Sequence, residues 1–204
     1  MMKRALAFVA ISLFFLLLTA CDSGQIFHRL RPNSVVLAFG DSLTYGTGAD
    51  TGMGYPEQLK HLIARNVVNA GVSGEVSAEG VRRLPAALDE HDPDLVILCH
   101  GGNDLLRKMD RQQLRQNLRR MFEAVNQRGI PMIMIAVPQM NLLASDAKEY
   151  KELADELNIP LIEGVLGDLL TEPDLKSDQV HLNNEGYRKL AEAVADVMMD
   201  LRVI

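Results

Sequence analysis

Five short apolar runs alternate with amphipathic stretches, and this alternation constrains the fold more than any other feature. The runs are SVVLAF (34–39), VVN (67–69), DLVILC (94–99), IPMIMIAV (130–137) and IPLIE (159–163). Their near-continuous apolar character reads as strands buried on both faces. The stretches between them repeat apolar residues at intervals of three and four, the mark of helices with one covered face. Leu59, Leu62 and Ile63 follow Pro56; Val81, Leu84 and Leu88 follow Ser77, an expected N-cap. Asp110 and Gln113 resemble a capping box ahead of Leu114, Leu118, Met121, Phe122 and Val125, and Gly129 reads as the stop. Ser145 is the expected cap for Tyr150, Leu153 and Leu157, and a last helix over 183–201 carries Leu190, Val194, Met198 and Leu201. Strands alternating with helices predict an α/β fold, a parallel five-stranded sheet covered on both faces. With 204 residues, 48% of them hydrophobic, one domain has enough apolar material for a single core.

The first twenty residues stand apart. Lys3 and Arg4 precede an apolar or small run, Ala5 to Ala20, which reads as a signal peptide over 1–20. The run is shorter than the ~20 apolar residues a spanning helix needs. LTAC (18–21) resembles the bacterial lipoprotein processing box, which implies lipid on Cys21 and a domain tethered on the periplasmic side of a membrane. Asp22 beside it resembles an inner-membrane retention signal. Residues 21–33, with Gly24 and Pro32, are expected as a tether, and 34–204 as the folded domain. Removal of Lys3 and Arg4 would take the formal charge from −6 to −8. The basic residues form no tail and aromatics make up 5%, which argues against nucleic acid as a partner. With Cys21 lipidated, Cys99 has no partner for a disulfide and reads as a buried, inert thiol.

A parallel sheet places its sites beyond the carboxyl ends of the strands. Ser42, the glycine turn 71–74, the segment 101–104 and Gln139 all follow strands and are expected on one rim. A serine hydroxyl attacks only when a base takes its proton and a third group orients that base. Of the five histidines, His28 falls in the tether, and His61 and His91 belong to helices with solvated faces. His181 stands in SDQVHLNNEG, with Asp178 three residues before it, where a turn can return the carboxylate to the ring. On spacing alone this pair reads first as exposed loop residues ahead of a helix. NAGVSGE (69–75) supplies a turn whose backbone N–H groups can approach a ligand, and Asn103 adds an amide. Each element alone also reads as an ordinary turn after a strand.

Together FGDSLTYG, NAGVSGEVS, GGND and DQVH match in order the four blocks of the SGNH (GDSL) hydrolases. Residues 67–104 resemble the thioesterase I/lysophospholipase/arylesterase branch in particular. The resemblance implies a three-layer α/β/α sandwich with a flavodoxin-like parallel sheet. It implies Ser42 as nucleophile, His181 as general base and acid, and Asp178 as its orienter. The oxyanion hole it implies comprises the backbone N–H groups of Ser42 and Gly74 and the Asn103 side chain, while Asp41 shapes the nucleophile turn. The G-x-S-x-G elbow of the α/β-hydrolases is absent. Leu182 stands where many relatives have proline, and 138–150 is shorter than its counterpart in the thioesterase branch.

The expected substrate is a small-molecule acyl ester or thioester, with Met140, Leu142 and Leu143 as candidate acyl-site residues beside the loop 44–54. A chain with no large insertion favours short or medium acyl groups; a monomer is the expected state. No cofactor is expected, because the histidines show no metal-ligand spacing such as H-E-x-x-H. Two other readings stay open: a carbohydrate O-acetylesterase of the cell envelope, and a non-catalytic ligand-binding lipoprotein of the same fold.

Overall fold

The computed structural model describes residues 25–139 and 144–204. The signal segment 1–20, Cys21 and Asp22, and the acyl-site candidates Met140, Leu142 and Leu143 lie outside the described residues.

Five parallel strands form one sheet: β1 (Val35–Gly40), β2 (Asn66–Gly71), β3 (Leu95–Cys99), β4 (Met132–Ile135) and β5 (Leu161–Ile162). Their order is β2-β1-β3-β4-β5, the flavodoxin-like arrangement, whose ligand crevice lies where the chain reverses direction across the sheet, between β1 and β3. The apolar runs account for this placement. β3 and β4 are buried along their whole length and β1 along all but its first residue, whereas the shorter or more polar β2 and β5 take the edges. Register aligns the exits: Gly40 of β1 pairs with Gly71 on one side and Cys99 on the other. The turns that follow these three residues therefore share one rim.

Helices α2 (Tyr55–Ile63) and α8 (Asn184–Asp200) pack together, and α3 (Ser77–His91) packs on α5 (Arg111–Asn126), which meets α6 (Lys148–Leu157). These groups cover the sheet to give the three-layer α/β/α sandwich. Three of the predicted details change. Leu62 of α2 is 50% exposed, because Tyr55, Leu59 and Ile63 turn the covered stripe one position away from it. Ser77 is not a cap but the first helical residue of α3, with its hydroxyl committed elsewhere; Val76 takes the cap position. Ser145 does not cap α6, which starts at Lys148 after Ala147. Asp110 caps as expected, accepting from the backbone N–H of Gln113, and Asn183 caps α8 likewise, accepting from that of Gly186.

Residues 25–33, expected as tether, dock on the domain. The Gln25 amide bonds both N–H and carbonyl of Met132 at the start of β4, and Leu30 is buried with its N–H 2.7 Å from the Val203 carbonyl.

Candidate active site

Four short elements absent from the periodicity build the rim. Helix α1 (Ser42–Tyr45) follows β1, and α4 (Gly102–Leu106) follows β3. Beyond β5, α7 (Val165–Thr171) and a 3₁₀ turn (Pro173–Leu175) lead to the loop ending at α8. Asp41 caps α1, one carboxylate oxygen accepting the Leu43 N–H at 3.2 Å. The other accepts the Gly102 N–H at 3.0 Å, so one buried side chain ties the start of α1 to the start of α4. Burial pushes the Asp41 carboxyl above its usual value, while these N–H donors pull against that. The α1 turn also rests on the end of β2, and only glycine permits it: a Cβ at Gly71 would fall 2.1 Å from the Tyr45 nitrogen.

The loop 176–182 folds back on itself, with the Ser177 N–H donating to the His181 carbonyl and the Asn183 N–H to the Leu175 carbonyl. Leu182 is fully buried; its own N–H is not one of the donors that close the loop. Within the loop Asp178 does what its spacing allows. One oxygen accepts the N–H groups of Val180 and His181 at 2.8 and 2.9 Å, and the other lies 2.8 Å from His181 Nδ1. An ionised carboxylate only accepts, so Nδ1 carries the hydrogen and the Nε2 lone pair is free. Nε2 lies 3.0 Å from Ser42 Oγ, across 139 residues of sequence. Partial burial alone would raise the Asp178 carboxyl. The hydrogen bonds from the His181 ring and from the Val180 and His181 N–H groups outweigh it and hold the group below its usual value.

The serine and histidine segments are fastened to each other away from the reacting atoms. The Tyr187 hydroxyl donates to the Thr47 carbonyl at 2.8 Å, and Asn184 bonds both the N–H and the carboxylate of Asp50. Asn103, in the first turn of α4, donates one amide hydrogen to the Glu75 carbonyl at 3.0 Å and keeps its second. Gly74 immediately precedes Glu75, so the predicted glycine turn and the predicted amide meet. His28 and His61 are exposed, as their positions suggested. Cys99 is fully buried with its thiol pushed well up by burial, an inert group.

Beside Ser42 and His181 opens a pocket walled by Leu105, Leu106, Val137, Pro138, Leu170 and Val180. It lies toward β3 and β4. The loop 44–54, expected beside the acyl site, walls a separate polar depression with Glu57 and Asn69. The sequence reading missed Leu105, Leu106 and Leu170, which belong to helices too short to show a period, and Val180, which lies in the loop 176–182.

Comparison with known proteins agrees with this geometry. The model of the GDSL-like lipase/acylhydrolase family matches residues 38–189. Thioesterase 1/protease 1/lysophospholipase L1 of Escherichia coli strain K12 is 31% identical over 185 residues, covering 85% of this chain and 87% of that protein. The crystal structure of TesA superposes with a TM-score of 0.76 at 29% identity, over 82% of this chain and 99% of its own. AlinE4, an SGNH-hydrolase family esterase, is 33% identical with a TM-score of 0.66, over 84% and 97%. The family match spans the rim from β1 to α8, and the chain belongs to the GDSL-like lipase/acylhydrolase family.

Proposed function

We propose that the chain is a serine esterase that cleaves carboxylic esters or thioesters through an acyl-enzyme on Ser42. One observation carries the reading: Ser42 Oγ is 3.0 Å from His181 Nε2 while Asp178 engages the opposite ring nitrogen at 2.8 Å. Ser42 Oγ bonds the carbonyl carbon as its proton passes to Nε2, and the Asp178 carboxylate stabilises the resulting imidazolium. The displaced electron pair sits on the former carbonyl oxygen, which accepts from the Ser42 and Gly74 N–H groups and the free Asn103 hydrogen. Collapse breaks the bond to the leaving alcohol or thiol, which departs with the proton from His181. Water then adds to the acyl carbon, giving its proton to Nε2. The acid leaves as the Ser42 oxygen recovers that proton.

The relatives' names, thioesterase 1/lysophospholipase L1 and SGNH esterase, support ester and thioester substrates. The apolar pocket between α4 and the exit of β4 suits a short to medium acyl chain. Ser42→Ala is expected to abolish p-nitrophenyl butyrate hydrolysis, and a fluorophosphonate probe to label the wild type but not the variant. Hydrolysis that survives the substitution removes the reading. Lipid on Cys21 and a periplasmic, membrane-held location belong to the same proposal, supported by LTAC and the basic, apolar segment before it.

A further inference from the structure

Beneath the oxyanion segment lies a charged cluster that the reaction steps above do not use. The Glu75 side chain is 6% exposed and the His100 side chain fully enclosed. Arg83 of α3 grips Glu75 with two bonds, Nε to Oε1 at 2.8 Å and Nη2 to Oε2 at 2.6 Å. His100 Nε2 lies 3.0 Å from the same Oε2. The guanidinium carbon lies 4.0 Å from the Phe39 ring centroid, and Nη2 reaches the Gly40 carbonyl at 3.3 Å. The helix is shaped to admit this: a Cβ at Gly80 would fall 2.3 Å from His100 Nε2.

Enclosing such a pair is poor use of space if stability is all it yields, since apolar packing of equal volume often does as well. Its position suggests a different return. The Glu75 carbonyl is the acceptor that orients the Asn103 amide. The Gly74 N–H lies one residue before Glu75 in the same turn, and Gly40 stands two residues before Ser42. The Arg83 guanidinium thus touches, through Glu75 and Gly40, all three segments that carry the oxyanion donors. Burial alone would raise the Glu75 carboxyl, but the bonds from Arg83 and His100 bring it to about 2, so it stays ionised at neutral pH.

We propose that Arg83, acting through Glu75 with His100, is the positioning residue of the oxyanion hole, aiming the Gly74 N–H and the free Asn103 hydrogen at the developing charge. This rests on the oxyanion assignment above. The guanidinium touches no reacting atom, so its loss misaims donors without emptying the substrate pocket.

The test is a double-mutant cycle on the purified enzyme with p-nitrophenyl butyrate. Arg83→Met is expected to lower kcat by about 10-fold or more, less than the roughly 10²–10³-fold cost of deleting an oxyanion donor, with KM within about 2-fold. Affinity for a boronic acid that forms a tetrahedral adduct on Ser42 should fall by a similar factor. Asn103→Ala should cost clearly less on the Arg83→Met background than alone, because both changes act through the same donors. Unchanged kcat, or strictly multiplicative losses, overturns the proposal. If Arg83→Met loses its cooperative melt, Glu75→Gln, nearly isosteric, carries the same cycle, and the same two results decide it. Wild-type kcat in Asn103→Ala alone would remove the oxyanion assignment and this proposal with it; a normal loss there with no coupling removes only the role of Arg83.

Discussion

Asp178 makes three hydrogen bonds at once, two to backbone N–H groups and one to the His181 ring, and the last sets the tautomer. Asp178→Asn preserves shape but lets the side chain donate, which favours hydrogen on Nε2 instead. Its expected consequence is a fall in kcat of about 10³–10⁴-fold with the fold intact, by analogy with the same change in other serine triads. Steady-state kinetics beside a circular-dichroism spectrum checks it; kcat within threefold of wild type contradicts the tautomer argument. At this scale the sequence was most informative where chemistry restricts residue type. Ser42, Asn103, Asp178 and His181 are all visible in short blocks, and a D-x-x-H turn can close locally. Arg83, Glu75 and His100 were not visible as a group, because a contact spanning α3, a loop and the end of β3 leaves no local spacing to read.

At the scale of elements, α1 and α4 matter most and were least legible: four and five residues are too few to show a helical period. Their positions are set by buried polar groups instead. Asp104 of α4 accepts the Ser77 N–H at 2.8 Å and the Ser77 hydroxyl at 2.5 Å, and Asn117 of α5 donates to that hydroxyl. This network explains why Ser77 is no cap. Asp104→Ala leaves these donors unsatisfied in the interior and is expected to cost about 2–4 kcal/mol, read from urea unfolding. A loss under 1 kcal/mol would mean that the network does not hold α4. The Glu75 cluster has a signature in acid. Its folded carboxyl binds a proton only near 2, whereas the unfolded chain does so near the ordinary value of ~4.3. The unfolded state therefore takes up protons first as pH falls. The stability from this group is full above the unfolded value and is lost progressively toward pH 2. Glu75→Gln should flatten the decline in melting temperature between pH 5 and 2.5; an unaltered slope argues against it. Leu62 shows the complementary limit, since the spacing admits either of two neighbouring stripes and only the packing of α8 on α2 selects Tyr55, Leu59 and Ile63.

Across the whole molecule the two poles have different duties. Gln25 and Leu30 dock at the pole where β4 begins, and the Ser42 rim lies at the opposite ends of the strands. Four residues from Cys21 to Gln25 span at most about 14 Å, so a lipid on Cys21 would hold the domain by the pole away from the site. Cys21→Ser is accordingly expected to move the protein from the membrane to the soluble fraction while kcat/KM on a soluble p-nitrophenyl ester stays within about twofold, since neither the pocket nor the donors change. A larger change in kcat/KM would place the attachment segment near the site. The sequence by itself determined the alternation of strands and helices, the α/β class and the four chemical blocks, because apolar period and residue chemistry are local properties. Tertiary structure alone decided which pocket flanks Ser42, which helix face is covered and what braces the oxyanion segment. Those features are contacts between groups tens of residues apart, and their energies exist only once the sheet has brought the strand ends together.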